Sequence, residues 1–242
     1  MIMQSLKELS HGLVHLFYPR LCEGCSKPLL AAEKVLCIGC ALQIPETGYH
    51  HVEDNETALR FAGRIPFSHA TSLAYFTQDG LLQHLMHGLK YRGKKEIGYY
   101  LGQRLAGSLN SALPENGARN WITSVDLIIP VPLHKAKNAK RGYNQSLLIA
   151  EGIGEALHIP VSDNVLERVR DTQSQTHKTR AERVDNMTEA FRVRQKGLLT
   201  NKHVLLCDDV LTTGDTLEAC ALALMKEESI KISIATIGIA VS

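Results

Sequence analysis

The sequence lacks the run of about 18 to 20 consecutive apolar residues that a membrane-spanning helix needs. It also lacks a marked excess of one charge, because 27 lysines and arginines face 25 aspartates and glutamates for a formal net charge of +2. Aromatic residues make up only 5% of the chain, with a single tryptophan. We therefore expect no integral membrane segment. Any binding of nucleic acid would have to come from local clusters of basic residues.

What is present is the composition of an ordinary soluble domain, with 44% hydrophobic and 21% charged residues in a chain of 242. That length suits one large domain, or one domain with a small attachment. Apolar residues recur at helical spacing between positions 6 and 17, but charged residues and histidines interrupt any signal-peptide core. We expect a cytoplasmic protein whose N-terminal amphipathic helix packs on its own body rather than on a membrane.

Four of the six cysteines follow the pattern C-x2-C-x11-C-x2-C, as Cys22, Cys25, Cys37 and Cys40. Two CxxC pairs complete the tetrahedral thiolate shell that Zn²⁺ favours in structural sites. The alternatives are two disulfides or a redox motif, which the absence of a secretory signal and the doubling of the pair disfavour. The pattern predicts a zinc module in residues 1–48. The other two cysteines, Cys207 and Cys220, are expected in the core.

Residues 49–70 are polar with little periodicity, which predicts a connector. Leucines at helical spacing then predict a helix over 81–90, and a second helix ends near Leu109. Between the two helices, positions 90–95 carry four basic residues and no acidic one. This basic run is a candidate anion-binding patch.

Short β-branched runs alternate with helical stretches from Ser124 onward. Such alternation predicts an α/β domain, here residues 71–242, with a parallel sheet flanked by helices. In these folds ligands bind at the carboxyl ends of the strands. The residues that carry chemistry should therefore follow directly after predicted strands.

The segment LLCDDVLTTGDTL, residues 205–217, fits that expectation. Paired acids at the end of a buried strand need compensation, which the hydroxyl groups of a ribose diol would supply. The following loop opens a helix, so its backbone N–H groups and threonine hydroxyls can hold a phosphate. A solvated strand end with an ordinary helix cap is the alternative. The candidate binding residues are Asp208, Asp209, Thr212, Thr213, Gly214, Asp215 and Thr216.

This segment resembles the signature of type I phosphoribosyltransferases, and the rest of the chain resembles the ComF (ComFC, GntX-like) family. The wider resemblance rests on the four cysteines followed by HGLKYRGKKEIGYYLGQRLA, IIPVPLHKAKNAKRGYNQSLLIAEGI and TQSQTHKTRAERVDNMTEAF, and it spans roughly residues 13–241. It implies a type I phosphoribosyltransferase-like fold that binds 5-phosphoribosyl 1-pyrophosphate (PRPP) with Mg²⁺. The family often has arginines after PVPLH, whereas this chain has three lysines before Arg141.

The resemblance also implies roles for two further segments. The loop with Val131, Pro132 and Leu133 would hold the pyrophosphate, together with Arg141. Its proline content and the basic residues that follow suit a diphosphate with magnesium, although a basic solvated loop would look the same. Residues 168–183 would form a lid over PRPP, with Lys178 and Arg183 as candidate contacts.

The resembled family is associated with DNA uptake in natural competence, which implies single-stranded DNA and a ComFA-like ATPase as partners. Two basic runs, at positions 90–95 and 135–141, with Tyr91 and Tyr143 for stacking on bases, agree with this role. The main hypothesis is therefore a PRPP-binding competence protein. The alternatives are a catalytic phosphoribosyltransferase with an unknown acceptor, or a PRPP-sensing regulator.

Overall fold

The computed structural model describes residues 19–112, 120–170, 190–194, 197, 199–226 and 229–241. The chain divides into two compact units, Met1–Pro45 and Glu46–Ser242. The predicted N-terminal amphipathic helix and most of the predicted lid, including Lys178 and Arg183, lie outside the described residues. Within the described ranges, no helix combines the length and the apolarity that crossing a membrane would require.

The described part of the smaller unit, from residue 19 onward, contains one short helix, α1 (Ile38–Ala41). The described helices of the larger unit are α2 (Glu56–Leu59), α3 (Leu81–Tyr91), α4 (Lys95–Asn110), α5 (Lys135–Arg141), α6 (Gln145–Leu157) and α7 (Asp215–Leu224). Its described strands are β1 (Ala70–Phe76), β2 (Leu127–Pro130), β3 (Leu166–Arg168), β4 (Phe191–Val193), β5 (His203–Leu211) and β6 (Lys231–Ala240). Single 3₁₀ turns occupy Tyr49–His51 and Trp121–Ser124.

Four strands form a parallel sheet in the order β1-β6-β5-β2. The central strands β5 and β6 are buried along most of their length, which suits their continuous apolar sequences. A separate antiparallel ribbon pairs β3 with β4. This architecture confirms the predicted α/β fold with a parallel sheet flanked by helices.

Helices cover both faces of the sheet. On one face, α7, the β3–β4 ribbon and the segment around Phe61 share a buried apolar cluster with Ile129, Leu206 and Ile234. On the other face, α6 packs on β2 and β5, and α3 packs on β1. Adjacent residues of one strand therefore point into the apolar layers on opposite faces of the sheet. Because all four strands are parallel, their carboxyl ends meet at one edge of the sheet.

Residues 49–70, which were predicted to form a connector, belong to the larger unit in the structure. The buried Asn55 explains how such a polar segment can pack, because its side-chain amide donates to Val52 O at 2.6 Å and to Ala70 O at 2.9 Å. Phe61 and Ile65 from this segment are buried in the core. Strand β1, for which no strand was predicted, begins directly after it.

Two glycines allow α4 and α6 to approach closely. A Cβ at Gly102 would lie 2.1 Å from the carbonyl oxygen of Ile149, and one at Gly152 would lie 2.3 Å from that of Tyr99. Neither contact is possible for a real Cβ atom, so a side chain at either position must push the helices apart. Gly107, on the same helix α4, has open space around its Cβ position.

We predict opposite effects for two matched alanine substitutions in α4. Gly102→Ala should lower the free energy of unfolding by about 1 to 3 kcal/mol or more, since the helices must separate. Gly107→Ala should leave it unchanged or raise it by about 0.5 to 1 kcal/mol, because alanine has the higher helix propensity. Urea denaturation of both variants measures the difference. Equal stability of the two variants would contradict the close approach.

Candidate functional site

The acid pair Asp208 and Asp209 lies at the carboxyl end of β5, in the centre of the sheet. The Ser146 hydroxyl, at the start of α6, donates to Asp208 Oδ1 at 2.8 Å, and the backbone N–H of Asp209 donates to the same oxygen at 2.8 Å. The ammonium of Lys90, at the end of α3, lies 2.8 Å from Asp209 Oδ2. Three elements thus converge on the two carboxyl groups.

The two carboxyl groups have different partners: Asp209 has the ammonium of Lys90, whereas Asp208 accepts hydrogen bonds from Ser146 and the backbone. Burial, and then the charge of Asp209, raise the pKa of Asp208 to about 7. The hydrogen bonds from Ser146 and from the backbone, and the charge of Lys90, oppose this rise without cancelling it. Asp208 is therefore close to its protonation midpoint at neutral pH. A cation or a pair of hydroxyl donors at this point would favour its ionised form.

The predicted phosphate loop connects β5 to α7. Gly214 adopts a left-handed conformation, with φ of +85°, which a residue with a side chain reaches only with strain. Gly214 at the start of the ten-residue helix α7 makes no side-chain capping bond, and the N–H of Asp215 donates to the Thr213 hydroxyl over a long 3.5 Å. Thr212 and Thr213 are exposed. This geometry suits an anion.

Arg64 holds this loop from outside the sequence motif. Its guanidinium donates to the carbonyl oxygen of Thr213 at 2.7 Å and to Asp215 Oδ1 at 2.7 Å, and it also contacts the buried Glu218. Although burial opposes it, the carboxylates of Glu218 and Asp215 raise the pKa of Arg64. The Asp215 side chain is therefore engaged with Arg64, and its backbone N–H donates to the Thr213 hydroxyl at 3.5 Å.

The predicted pyrophosphate loop follows β2, the strand next to β5. The N–H of Val131 donates to Cys207 O at 2.8 Å, and the Asn144 side chain donates to Val131 O at 2.9 Å. These bonds hold Val131, Pro132 and Leu133 at the carboxyl edge of the sheet, beside the acid pair. The basic residues after them form the short helix α5 instead of an open loop. Arg141, at its end, contacts the side chain of Gln145.

The two basic runs form one surface. The Tyr143 hydroxyl donates to the carbonyl oxygen of Leu89, directly before Lys90. The ammonium of Lys95 lies 5.0 Å from the centre of the Tyr143 ring, and the Arg141 guanidinium lies 5.8 Å from that of Tyr91. Each tyrosine thus carries a cation from the other run. We call this surface, residues 90–95 and 135–143, the basic surface.

The four cysteines converge in the smaller unit. Their Sγ atoms all lie within 4.8 Å of one another, and those of Cys25 and Cys37 are 3.7 Å apart. A tetrahedral shell with Zn–S bonds of about 2.3 Å places sulfur atoms about 3.8 Å apart. Burial, and then hydrogen bonds with the neighbouring cysteines and the charge of Cys22, raise the pKa of Cys40. The cluster can hold a metal ion.

The structure therefore gathers the acid pair, the phosphate loop and the Val131 loop at one edge of the sheet, and the cysteines in the other unit. Sequence reasoning missed Lys90 as a contact of the acid pair, Ser146 as a donor to it, and Arg64 as a support of the loop. Lys90 belongs to a predicted basic run, but nothing in the sequence places it against Asp209. Arg64 lay in the expected connector.

Comparisons with known proteins agree with this arrangement. A model described as "Phosphoribosyl transferase domain" matches residues 144–242. Competence protein F of Haemophilus influenzae is 27% identical over 218 residues, covering 87% of this chain and 93% of its own length. DNA utilization protein YhgH of Salmonella typhimurium is 26% identical over 224 residues, covering 89% and 95%. Competence protein ComFC of Bacillus subtilis is 24% identical over 152 residues, covering 63% and 57%.

This chain is therefore similar to competence and DNA utilization proteins over most of its length. The matched phosphoribosyl transferase domain contains Ser146, the acid pair and the predicted phosphate loop. The cysteine cluster, Lys90 and Arg64 precede it in the sequence. The cation that compensates Asp209 and the arginine that supports the loop are therefore contributed by the part of the larger unit that comes before the matched domain, whereas Ser146 belongs to that domain.

The raised pKa of Asp208 predicts a pH-dependent loss of stability. Between about pH 4 and pH 7 the folded protein keeps a proton that the unfolded chain releases, so this contribution is complete below about pH 4 and is lost as the pH rises through about 7. Asp208→Asn keeps an oxygen acceptor for Ser146 but cannot ionise. The melting temperature of the wild type should therefore fall relative to this variant between about pH 4 and pH 7.

Thermal melts followed by circular dichroism at several pH values measure the difference. Glu155→Gln, on the exposed side of α6, is the matched control and should track the wild type at every pH. A difference between wild type and Asp208→Asn that stays constant with pH would show that Asp208 is ionised throughout.

Proposed function

We propose that this protein binds PRPP with Mg²⁺ at the carboxyl edge of its sheet and handles single-stranded DNA during natural competence. The observation that carries the proposal is the ion pair of Lys90 with Asp209, because it joins the basic surface to the acid pair of a phosphoribosyl site. The relatives named for competence and DNA utilization support the biological role.

Each part of PRPP has a complementary group at this edge. The N–H groups at the start of α7 and the hydroxyls of Thr212, Thr213 and Thr216 would hold the 5-phosphate. Asp208 and Asp209 would accept from the ribose diol. The backbone of Val131, Pro132 and Leu133, with Arg141 nearby, would hold the diphosphate. Mg²⁺ would neutralise the diphosphate charge when it is bound.

Lys90 balances the charge of the site when no ligand is bound. Its ammonium compensates Asp209, so the buried acids are not left as two uncompensated charges. A ribose diol that takes over Asp209 would release this cation toward the diphosphate or toward a strand on the basic surface. Arg64 holds the phosphate loop through Thr213, and a loop fixed in advance loses less entropy on binding.

The basic surface suits a single strand. It combines exposed Arg92, Lys95, Lys137 and Lys140 with the exposed ring of Tyr91, and stacking platforms beside cations are the usual means of binding single-stranded nucleic acid. A ComFA-like ATPase in the cytoplasm is the partner that the family resemblance implies. We propose that it delivers the strand to this surface.

The test is a pair of titrations, one with Mg-PRPP and one with a single strand. Asp208→Ala with Asp209→Ala should weaken Mg-PRPP binding by about a hundredfold or more, because charge-assisted hydrogen bonds of about 1.5 to 3 kcal/mol each are lost. Isothermal titration calorimetry measures the affinity, with Glu155→Gln as control. Wild-type affinity in the folded double variant would refute the PRPP site.

The second titration follows a labelled oligonucleotide by fluorescence anisotropy at several salt concentrations. Arg92→Glu with Lys140→Glu should weaken strand binding and reduce its salt dependence, since each phosphate contact on a single strand contributes about 0.7 to the slope. Lys226→Glu, at an exposed lysine beyond the end of α7, is the control for a charge reversal outside the basic surface. Absence of binding by the wild type at low salt would remove the DNA role.

We also propose that the metal held by the four cysteines is zinc, in a structural role. The protein purified under reducing conditions should carry about one zinc per chain by native mass spectrometry. Cys25→Ser should lose the zinc, whereas Cys220→Ala, which changes a buried cysteine of the larger unit, should keep it. A metal-free wild-type protein would contradict the assignment.

A further inference from the structure

A second cavity lies at the opposite edge of the sheet from the phosphoribosyl site. It is lined by the first residues of β1 and β6, by Trp121 before β2, and by the turn at Tyr49–His51. These are the amino ends of the parallel strands, whereas the acid pair and the phosphate loop lie at the carboxyl ends. The cavity volume, about 640 Å³, is within the range of about 300 to 1,000 Å³ typical of small-molecule sites.

Aromatic rings are concentrated in this cavity, although the chain has few. Its lining contains Tyr49, Phe67 and Trp121, the only tryptophan, and also His50, His51 and His69. The rings of His69 and Trp121 stack in parallel with their centres 4.5 Å apart. A wall of this kind favours a planar aromatic ligand over an aliphatic one.

The lining also contains charged groups and imidazoles. Lys231 supplies a cation, and Glu53 and Asp54 supply acceptors. Burial lowers the pKa of His50 and of His69, and the neighbouring His51 and Lys231, respectively, lower them further. A neutral imidazole offers one donor and one acceptor, which is what the edge of a heterocyclic base requires.

The walls are fixed by backbone contacts rather than left open to rearrange. The buried Asn55 ties the turn at Val52 to the start of β1. The N–H of Ser68 donates to Ile232 O at 2.7 Å, and that of Ile234 donates to His69 O at 2.8 Å. The cavity is therefore formed before any ligand binds.

We propose that this cavity binds a nucleotide, with its base against the aromatic wall and its phosphate at Lys231. The base can belong to a free mononucleotide or to a single strand, because both present the same ring and phosphate. The proposal does not depend on PRPP binding at the other edge of the sheet.

The single tryptophan makes the test specific, since Trp121 is the only source of indole fluorescence. Titration with deoxynucleoside monophosphates and with oligonucleotides should quench it, while deoxyribose 5-phosphate, which lacks a base, should not. Lys231→Ala should weaken the quenching titration about tenfold or more. Lys226→Ala is the matched control. Val52→Glu, a change at an exposed position of the lining, should also weaken it by charge repulsion without disturbing the fold.

The outcomes distinguish a free nucleotide from a DNA strand, and this cavity from the candidate PRPP site. Tighter binding of an oligonucleotide than of a monophosphate identifies a strand as the ligand, and equal or weaker binding identifies a free nucleotide. Saturating Mg-PRPP should leave the quenching unchanged, because the two sites lie at opposite edges of the sheet. Quenching that is abolished by Mg-PRPP, that persists in folded Lys231→Ala and Val52→Glu, or that never occurs would overturn the proposal.

Discussion

The burial of two adjacent carboxyl groups at the end of β5 is the constraint on which this structure depends. Two acids at the centre of a sheet would repel each other in a poorly solvated place, so the fold must bring compensating groups to them. Ser146 and Lys90 come from the first turn of α6 and the last turn of α3. The positions of both helices are thereby coupled to the chemistry of one strand end.

That coupling explains why the basic surface lies beside the candidate phosphoribosyl site. Lys90 must reach Asp209, which fixes the end of α3 over the sheet edge, and the bond from Tyr143 to Leu89 then joins the end of α3 to the chain before α6. The residues that follow Lys90 and those of α5 share one surface as a result. A single strand of DNA bound to the basic surface would contact the same cation, Lys90, that compensates the acid pair.

The sequence predicted the elements whose signals are local. The buried runs of β5 and β6, the apolar spacing of α3 and α4 and the cysteine spacing each depend on neighbouring residues, and the structure has all of them. The strand at Ala70–Phe76 was missed because its residues are mostly small and it lacks polar alternation. The helix α5 was missed because its lysine-rich sequence has no apolar face. The contacts of Arg64 with the phosphate loop and of Lys90 with Asp209 join residues far apart in the sequence, and hydrophobic periodicity does not predict such contacts.

The parallel sheet itself explains how the larger unit could hold two ligands. Its carboxyl ends carry loops with free N–H groups and acids, which suit phosphates, diols and metal ions. Its amino ends carry a packed turn and aromatic residues, which suit a planar ring. His203 is buried near that second edge, and burial, and then the charges of Lys231 and His69, lower its pKa to about 4. A phosphate next to Lys231 would screen the lysine charge, so nucleotide binding there should raise the pKa values of the nearby imidazoles. Imidazole signals followed by NMR during a nucleotide titration should therefore shift toward the protonated form, and they should not do so when Lys231 is replaced by alanine.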